Sequence, residues 1–80
     1  MREFVATFHT HLSALMTSRK LTAMGVTARM MPVPRKLSSS CGTCVVYTAA
    51  ESHLDAMDED VEGVYEVIGK EQYATVLENE

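Results

Sequence analysis

One stretch of the chain combines features that a simple connector does not need: Pro32-Val33-Pro34-Arg35-Lys36-Leu37-Ser38-Ser39-Ser40-Cys41-Gly42-Thr43-Cys44. It holds both prolines, both cysteines, three consecutive serines and two adjacent cations. Each proline fixes one backbone dihedral and removes a donor, and each biases the residue before it towards an extended shape. The stretch therefore starts as a stiff extended segment, becomes small and polar, and ends in a C-x-x-C pair. A loop that only joins two elements needs neither the length nor the cysteines. A rigid scaffold carrying a chemically equipped loop is the expected design.

The scaffold is small. Eighty residues allow one domain, spanning 1–80, and a chain of this size buries only about two-thirds of its unfolded surface. A hydrophobic fraction of 46% is ordinary for a folded protein and too high for a disordered one. A net charge of −4 is a poor match for nucleic acid, which selects a basic footprint, so no nucleic-acid partner is expected. No run of about 18 apolar residues suits a membrane span, and Met1-Arg2-Glu3 leads into Phe4 without the apolar core of a signal peptide. A cytoplasmic location is expected, and there two cysteines stand reduced by default. That shifts weight from a structural disulfide to a reactive, redox-active or metal-binding pair.

The rest of the chain supplies the frame. Residues 2–8 alternate, with Phe4, Ala6 and Phe8 opposite Glu3, Val5 and Thr7, which predicts a strand. Thr10 is placed to cap a helix whose apolar stripe is Leu12, Leu15, Met16, Leu21 and Met24. Gly25 is placed to end it, with Arg19 and Lys20 suiting its C-terminal half. Strands are expected over 26–33 and 44–48, the latter rich in β-branched residues. A second helix is expected over 52–62, with Leu54, Met57 and Val61 inward and Asp55, Asp58, Glu59 and Asp60 on a solvated face, and a fourth strand over 63–68. In the tail, 69–80, Tyr73, Val76 and Leu77 have helical spacing and predict a short helix, with a hairpin strand as the alternative.

The predicted order is β-α-β-β-α-β, an α+β chain of the ferredoxin-like kind: a four-stranded antiparallel sheet with two helices on one face and a short C-terminal extension. In that topology the first two strands run parallel and the third lies between them. His9, Thr10 and His11 then meet the 34–44 loop at one end of the sheet, and His53 falls at the other. Edge strands make a homodimer conceivable.

The placement implies chemistry. A free thiol has a pKa of about 8.5, and cations or a helix N-terminus lower it. Cys41 has Arg35 and Lys36 near in sequence and the start of the first helix near in space. Gly42 permits a positive dihedral or a close approach, and Ser38, Ser39 and Ser40 offer hydroxyls to an anionic sulfur. Cys44 begins a strand, so it is either a resolving thiol or a core side chain. A metal site from His9, His11, Cys41 and Cys44 is the weaker alternative, since the spacing follows no usual finger pattern. No cofactor is implied. Neither a Ser-His-Asp arrangement nor a phosphate loop is present.

The run Pro34-Arg35-Lys36-Leu37-Ser38-Ser39-Ser40-Cys41-Gly42, with Phe8-His9-Thr10-His11 before a helix and the strand from Ala28 to Pro34, resembles the small bacterial selenium/sulfur carrier-like family (domain of unknown function 3343). The resemblance covers about residues 5–67. It implies that Cys41, followed by Gly42, is the carrier residue. It also implies a carrier rather than an enzyme, with a protein donor such as a cysteine desulfurase and an acceptor protein as partners. Lys36 departs from the Glu of many relatives and makes this loop more cationic. Cys44 is less general in the family, so the implied function rests on Cys41. The alternatives are a thiol–disulfide module using Cys41 and Cys44 and a small metal-binding adaptor domain.

Overall fold

A computed structural model describes residues 1–79. Along the chain run β1 (Arg2–Phe8), α1 (His11–Ala23), β2 (Thr27–Pro32), β3 (Thr43–Ala49), a 3₁₀ turn (Leu54–Ala56), β4 (Val61–Gly69) and β5 (Gln72–Glu78). The strands form one sheet in the order β2-β3-β1-β4-β5, every neighbour antiparallel. As expected, β1 and β2 flank β3 and share a direction.

Strand β1 is central and buried on both faces. Phe4, Ala6 and Phe8 face α1 and join Val45, Tyr47, Val64, Ala14 and Leu21 in the core. Val5 and Thr7, on the other face, are just as closed to solvent. Phe4 stacks on Tyr47 with ring centroids 5.2 Å apart, a geometry that adds to burial.

Helix α1 begins as the sequence predicts: the Thr10 hydroxyl accepts from the Ser13 amide. It ends with the Gly25 amide bonded to the Thr22 carbonyl and the Val26 amide to Leu21, a Schellman closure that uses the positive φ of Gly25 (85°). The buried stripe differs from expectation. Ser13, Ala14, Thr17 and Leu21 face inward, whereas Leu12, Met16 and Met24 are exposed. The rotation has a cause. The Ser13 hydroxyl donates to Asp58 (2.6 Å) and the Thr17 hydroxyl accepts from the Asp58 amide (3.0 Å), so two polar residues one turn apart hold the β3–β4 connection.

That connection replaces the expected second helix. Residues 50–60 form a strap with only the 3₁₀ turn as regular structure. The Tyr47 hydroxyl donates to the Ser52 carbonyl at one end, Asp58 is held on α1 at the other, and the Asp60 amide turns back to the Asp58 carboxylate. A helix over 52–62 would stack acidic residues at four-residue spacing, Asp55 over Glu59 and Asp58 over Glu62, a destabilising pattern. In the tail the expected short helix gives way to the hairpin alternative: Gln72–Glu78 is a fifth strand. Lys70 and Glu71 make a two-residue turn, with Glu71 at φ 54°, and Tyr73, Thr75 and Val76 suit a strand. The sheet thus has five strands and one helix, not four and two. No helix among the described residues is long and apolar enough to cross a membrane.

Candidate functional site

The 33–42 loop folds back over one end of the sheet. The Val33 amide bonds to the Gly42 carbonyl (3.1 Å) and closes its mouth, and the Leu37 amide bonds to Pro34 (3.0 Å), making a turn. Gly42 takes φ 73°, which glycine reaches without a steric penalty.

The loop docks where the topology predicts. The Ser39 hydroxyl donates to the Phe8 carbonyl (2.7 Å). The Ser40 hydroxyl lies 3.5 Å from His9 Nδ1, and His11 Nδ1 is 3.4 Å from the Thr43 hydroxyl. Cys41 sits between these anchors, half-buried. Its sulfur is 3.6 Å from Ser39 Oγ and 3.4 Å from the Thr43 carbonyl oxygen. Since Ser39 spends its proton on Phe8, its oxygen is an acceptor towards the Cys41 thiol.

Glu62, which the sequence pattern places at the end of an acidic helix, completes the corner. It lies in β4 at a register shift: Phe8 pairs with Val61, and Thr7 already pairs with Gly63. Glu62 is the extra residue of that bulge, and bulges re-aim side chains. Its carboxylate accepts from the Ser40 amide (2.8 Å) and the Ser40 hydroxyl (2.9 Å), and lies 3.4 Å from His9 Nδ1. Partial burial pushes the Glu62 carboxyl up. The bonds from the Ser40 amide and hydroxyl and the nearby His9 outweigh it and hold the group below its usual range. No sequence signal marks such a residue, because a bulge is defined by pairing.

The remaining candidates separate from this cluster. Arg35 and Lys36 are exposed at the loop's turn, and neither makes a side-chain hydrogen bond or ion pair among the described residues. The charged group set against the loop is thus a carboxylate rather than a cation. Ser38 is exposed, and the Thr10 hydroxyl is committed to the helix cap. Cys44 is fully closed to solvent, with its sulfur 3.7 Å from the Pro32 carbonyl. Burial, aided by Cys41, pushes its thiol up to about 11. Both cysteines are free thiols. The described residues contain no cluster of three or more His, Cys, Asp or Glu arranged to hold a metal, so His9, His11, Cys41 and Cys44 do not form a ready-made ligand set. His53 lies beyond the far end of β3, beside Glu51 (3.7 Å).

The profile of the family described as "Putative Se/S carrier protein-like" matches residues 3–75. The chain is 38% identical over 48 residues to the uncharacterized protein YtiA of Escherichia coli (strain K12). That match takes in 60% of this chain and spans a little over half, 56%, of the relative's length. No solved structure matches at a significant level. With nearly its whole length matched by the family profile, the chain belongs to the Se/S carrier-like family.

Proposed function

We propose that this protein carries sulfur or selenium, holding the sulfane atom on Cys41 as a persulfide or selenopersulfide and passing it to an acceptor protein. The observation that carries the reading is the contrast between its two thiols. Cys41 is half-exposed on a loop pinned by Ser39 and Ser40, whereas Cys44 is sealed in the sheet with its thiol pushed up to about 11. Only a thiolate attacks sulfur, and the attack requires access, which favours Cys41 alone. The family description supports the same reading.

Loading is a group transfer with no net oxidation. The Cys41 thiolate attacks the outer sulfur of a donor persulfide. The new S–S bond forms on Cys41 as the donor's S–S bond breaks, and the donor's inner sulfur leaves as a thiolate and takes up the proton that Cys41 released. Delivery repeats the exchange with an acceptor thiolate. A cysteine desulfurase is a suitable donor class, since it presents a protein persulfide. A Cys41–Cys44 disulfide cycle is less well supported, because Cys44 would have to react from a buried, protonated state.

The test is intact mass after exposure to a persulfide donor. The parent and Cys44→Ala are expected to gain one sulfur that a reductant removes, and Cys41→Ser to gain none. Equal loading of Cys41→Ser overturns the reading.

A further inference from the structure

The carrier reading leaves one group in the corner without a role. Glu62 is set at a strand bulge, a position the chain adopts only where pairing slips by one residue. From there its two oxygens take the amide and the hydroxyl of Ser40, the residue immediately before Cys41. These contacts bridge 22 residues of sequence and join the loop to β4, while Ser39 joins it to β1 through the Phe8 carbonyl. Two adjacent loop residues are therefore fastened to two adjacent strands, and the next residue carries the thiol. Nothing in the core requires this. The Glu62 side chain is at the surface end of the sheet, 21% exposed, and its carboxylate meets the polar groups of Ser40 and His9. A carboxylate bonded to both an N–H and an O–H holds stronger hydrogen bonds than neutral groups do, and paired bonds fix direction as well as distance.

We propose that Glu62 is a positioning residue for Cys41: it latches the loop at Ser40 and so fixes where the Cys41 sulfur stands relative to an incoming sulfur donor. The proposal rests on the carrier reading for its purpose, but the latch itself is a separate claim. Glu62 does not touch the transferred atom. His9, which faces both the Ser40 hydroxyl and the carboxylate, is the second member of the latch. In-line attack on an S–S bond depends on alignment, and a small misplacement of a reacting group costs rate steeply. The free loop would expose Cys41 more while aiming it less well.

That opposition gives the test. Glu62→Ala removes the latch. Glu62→Gln keeps its shape: the amide oxygen still accepts from the Ser40 amide, and the amide nitrogen donates to a Ser40 hydroxyl turned to accept. In Glu62→Ala the Ser40 amide is expected to exchange with solvent about tenfold faster, the scale of a lost bond to a charged group, with the Val45 amide in the core unchanged. Alkylation of Cys41 by iodoacetamide should rise, while sulfane uptake from a small persulfide slows about tenfold. Glu62→Gln should restore most of both rates. A merely structural role would not move reagent access and transfer rate in opposite directions. Unchanged Ser40 exchange and Cys41 rates in Glu62→Ala overturn the proposal, as does an equal rise in exchange at Val45. If Glu62→Ala fails to fold, Ser40→Ala, which removes only the hydroxyl contact, should show the same changes to a lesser degree, and no change in it overturns the latch. If the parent takes up no sulfane atom, the carrier reading fails, and exchange and alkylation still decide the latch.

Discussion

Ser40 meets Glu62 through two atoms: its amide lies 2.8 Å from one carboxylate oxygen and its hydroxyl 2.9 Å from the other. One residue from the loop and one from a strand bulge thereby close the corner in which Cys41 stands. The contact is polar, partly wet and anionic on one side, so it responds to pH in a way the apolar core does not.

The sign of that response follows from the carboxyl itself. In the folded protein the Glu62 group lies below the usual 4.5, because the Ser40 amide and hydroxyl and the nearby His9 outweigh the upward push of burial. A depressed carboxyl adds stability at pH above its unfolded value and loses it as pH falls through the folded value. Urea midpoints are therefore expected to be flat from neutral pH down to about 4.5 as far as Glu62 is concerned, and to fall below that. Glu66, bonded to Arg2, shifts the same way and contributes in the same window. Glu62→Gln should make the acid limb shallower without abolishing it. An acid limb identical in Glu62→Gln and the parent contradicts this account.

The two thiols should react as two populations. Cys44, closed to solvent and with its thiol pushed up to about 11, presents a thiolate in only about one molecule in a thousand at pH 8. A disulfide reagent added to native protein should consume one thiol quickly, and that thiol should be absent from Cys41→Ser. The second should appear only on unfolding in denaturant. Two equally fast thiols in the native state would show that Cys44 is accessible and would revive the paired-cysteine alternative.

Local signals carried the parts of the fold that local chemistry decides. The Thr10 cap, the Gly25 stop, the alternation of β1 and the β-branched run of β3 all formed as the sequence predicts, and with them the meeting of the cysteine loop with the β1–α1 corner. The misses share a cause. Leu54, Met57 and Val61 imitate a helical stripe, but Ser13 and Thr17 draw Asp58 onto α1 and the chain crosses as a strap. The same two residues turn Leu12 and Met16 outward. Tyr73, Val76 and Leu77 also have helical spacing, yet the Lys70–Glu71 turn pairs 72–78 with β4. Glu62 was invisible because its position depends on a slip between β1 and β4, and neither strand records the slip alone. Tertiary contacts overrode periodicity in each case.

The strap gives a prediction that does not depend on function. Thr17→Val keeps the volume of a fully buried side chain but removes the acceptor for the Asp58 amide, and Ser13→Ala removes the donor to its carboxylate. Thr17→Val leaves the Asp58 amide unpaired, at a cost of about 1–3 kcal/mol, or roughly 4–8 °C in Tm per kcal/mol for a domain this size. Ser13→Ala leaves the carboxylate only the longer bond from the Asp60 amide and should cost less. The two changes act on one residue, so the double variant should lose less than the sum of the singles. Thermal melts with an additive double variant would mean that the strap is held by something other than Asp58.

Gly42 sets the last expectation, at the residue that follows Cys41. Its φ of 73° lies in the left-handed region, and a β-carbon built there meets nothing within 4 Å. The cost of Gly42→Ala is therefore backbone strain without a clash, about 1–2 kcal/mol. Asparagine tolerates this region better than alanine, so Gly42→Asn should be the milder change despite its larger side chain, an order that no steric argument gives. The strain is relieved by releasing the bonds from the Val33 amide to Gly42 and from the Gly42 amide to Ser39, so Cys41 alkylation should quicken in the alanine variant before the core loosens. Chemical denaturation combined with a timed alkylation of Cys41 checks both parts. If the alanine variant matches the parent in midpoint and in alkylation rate, the left-handed turn does not hold the loop.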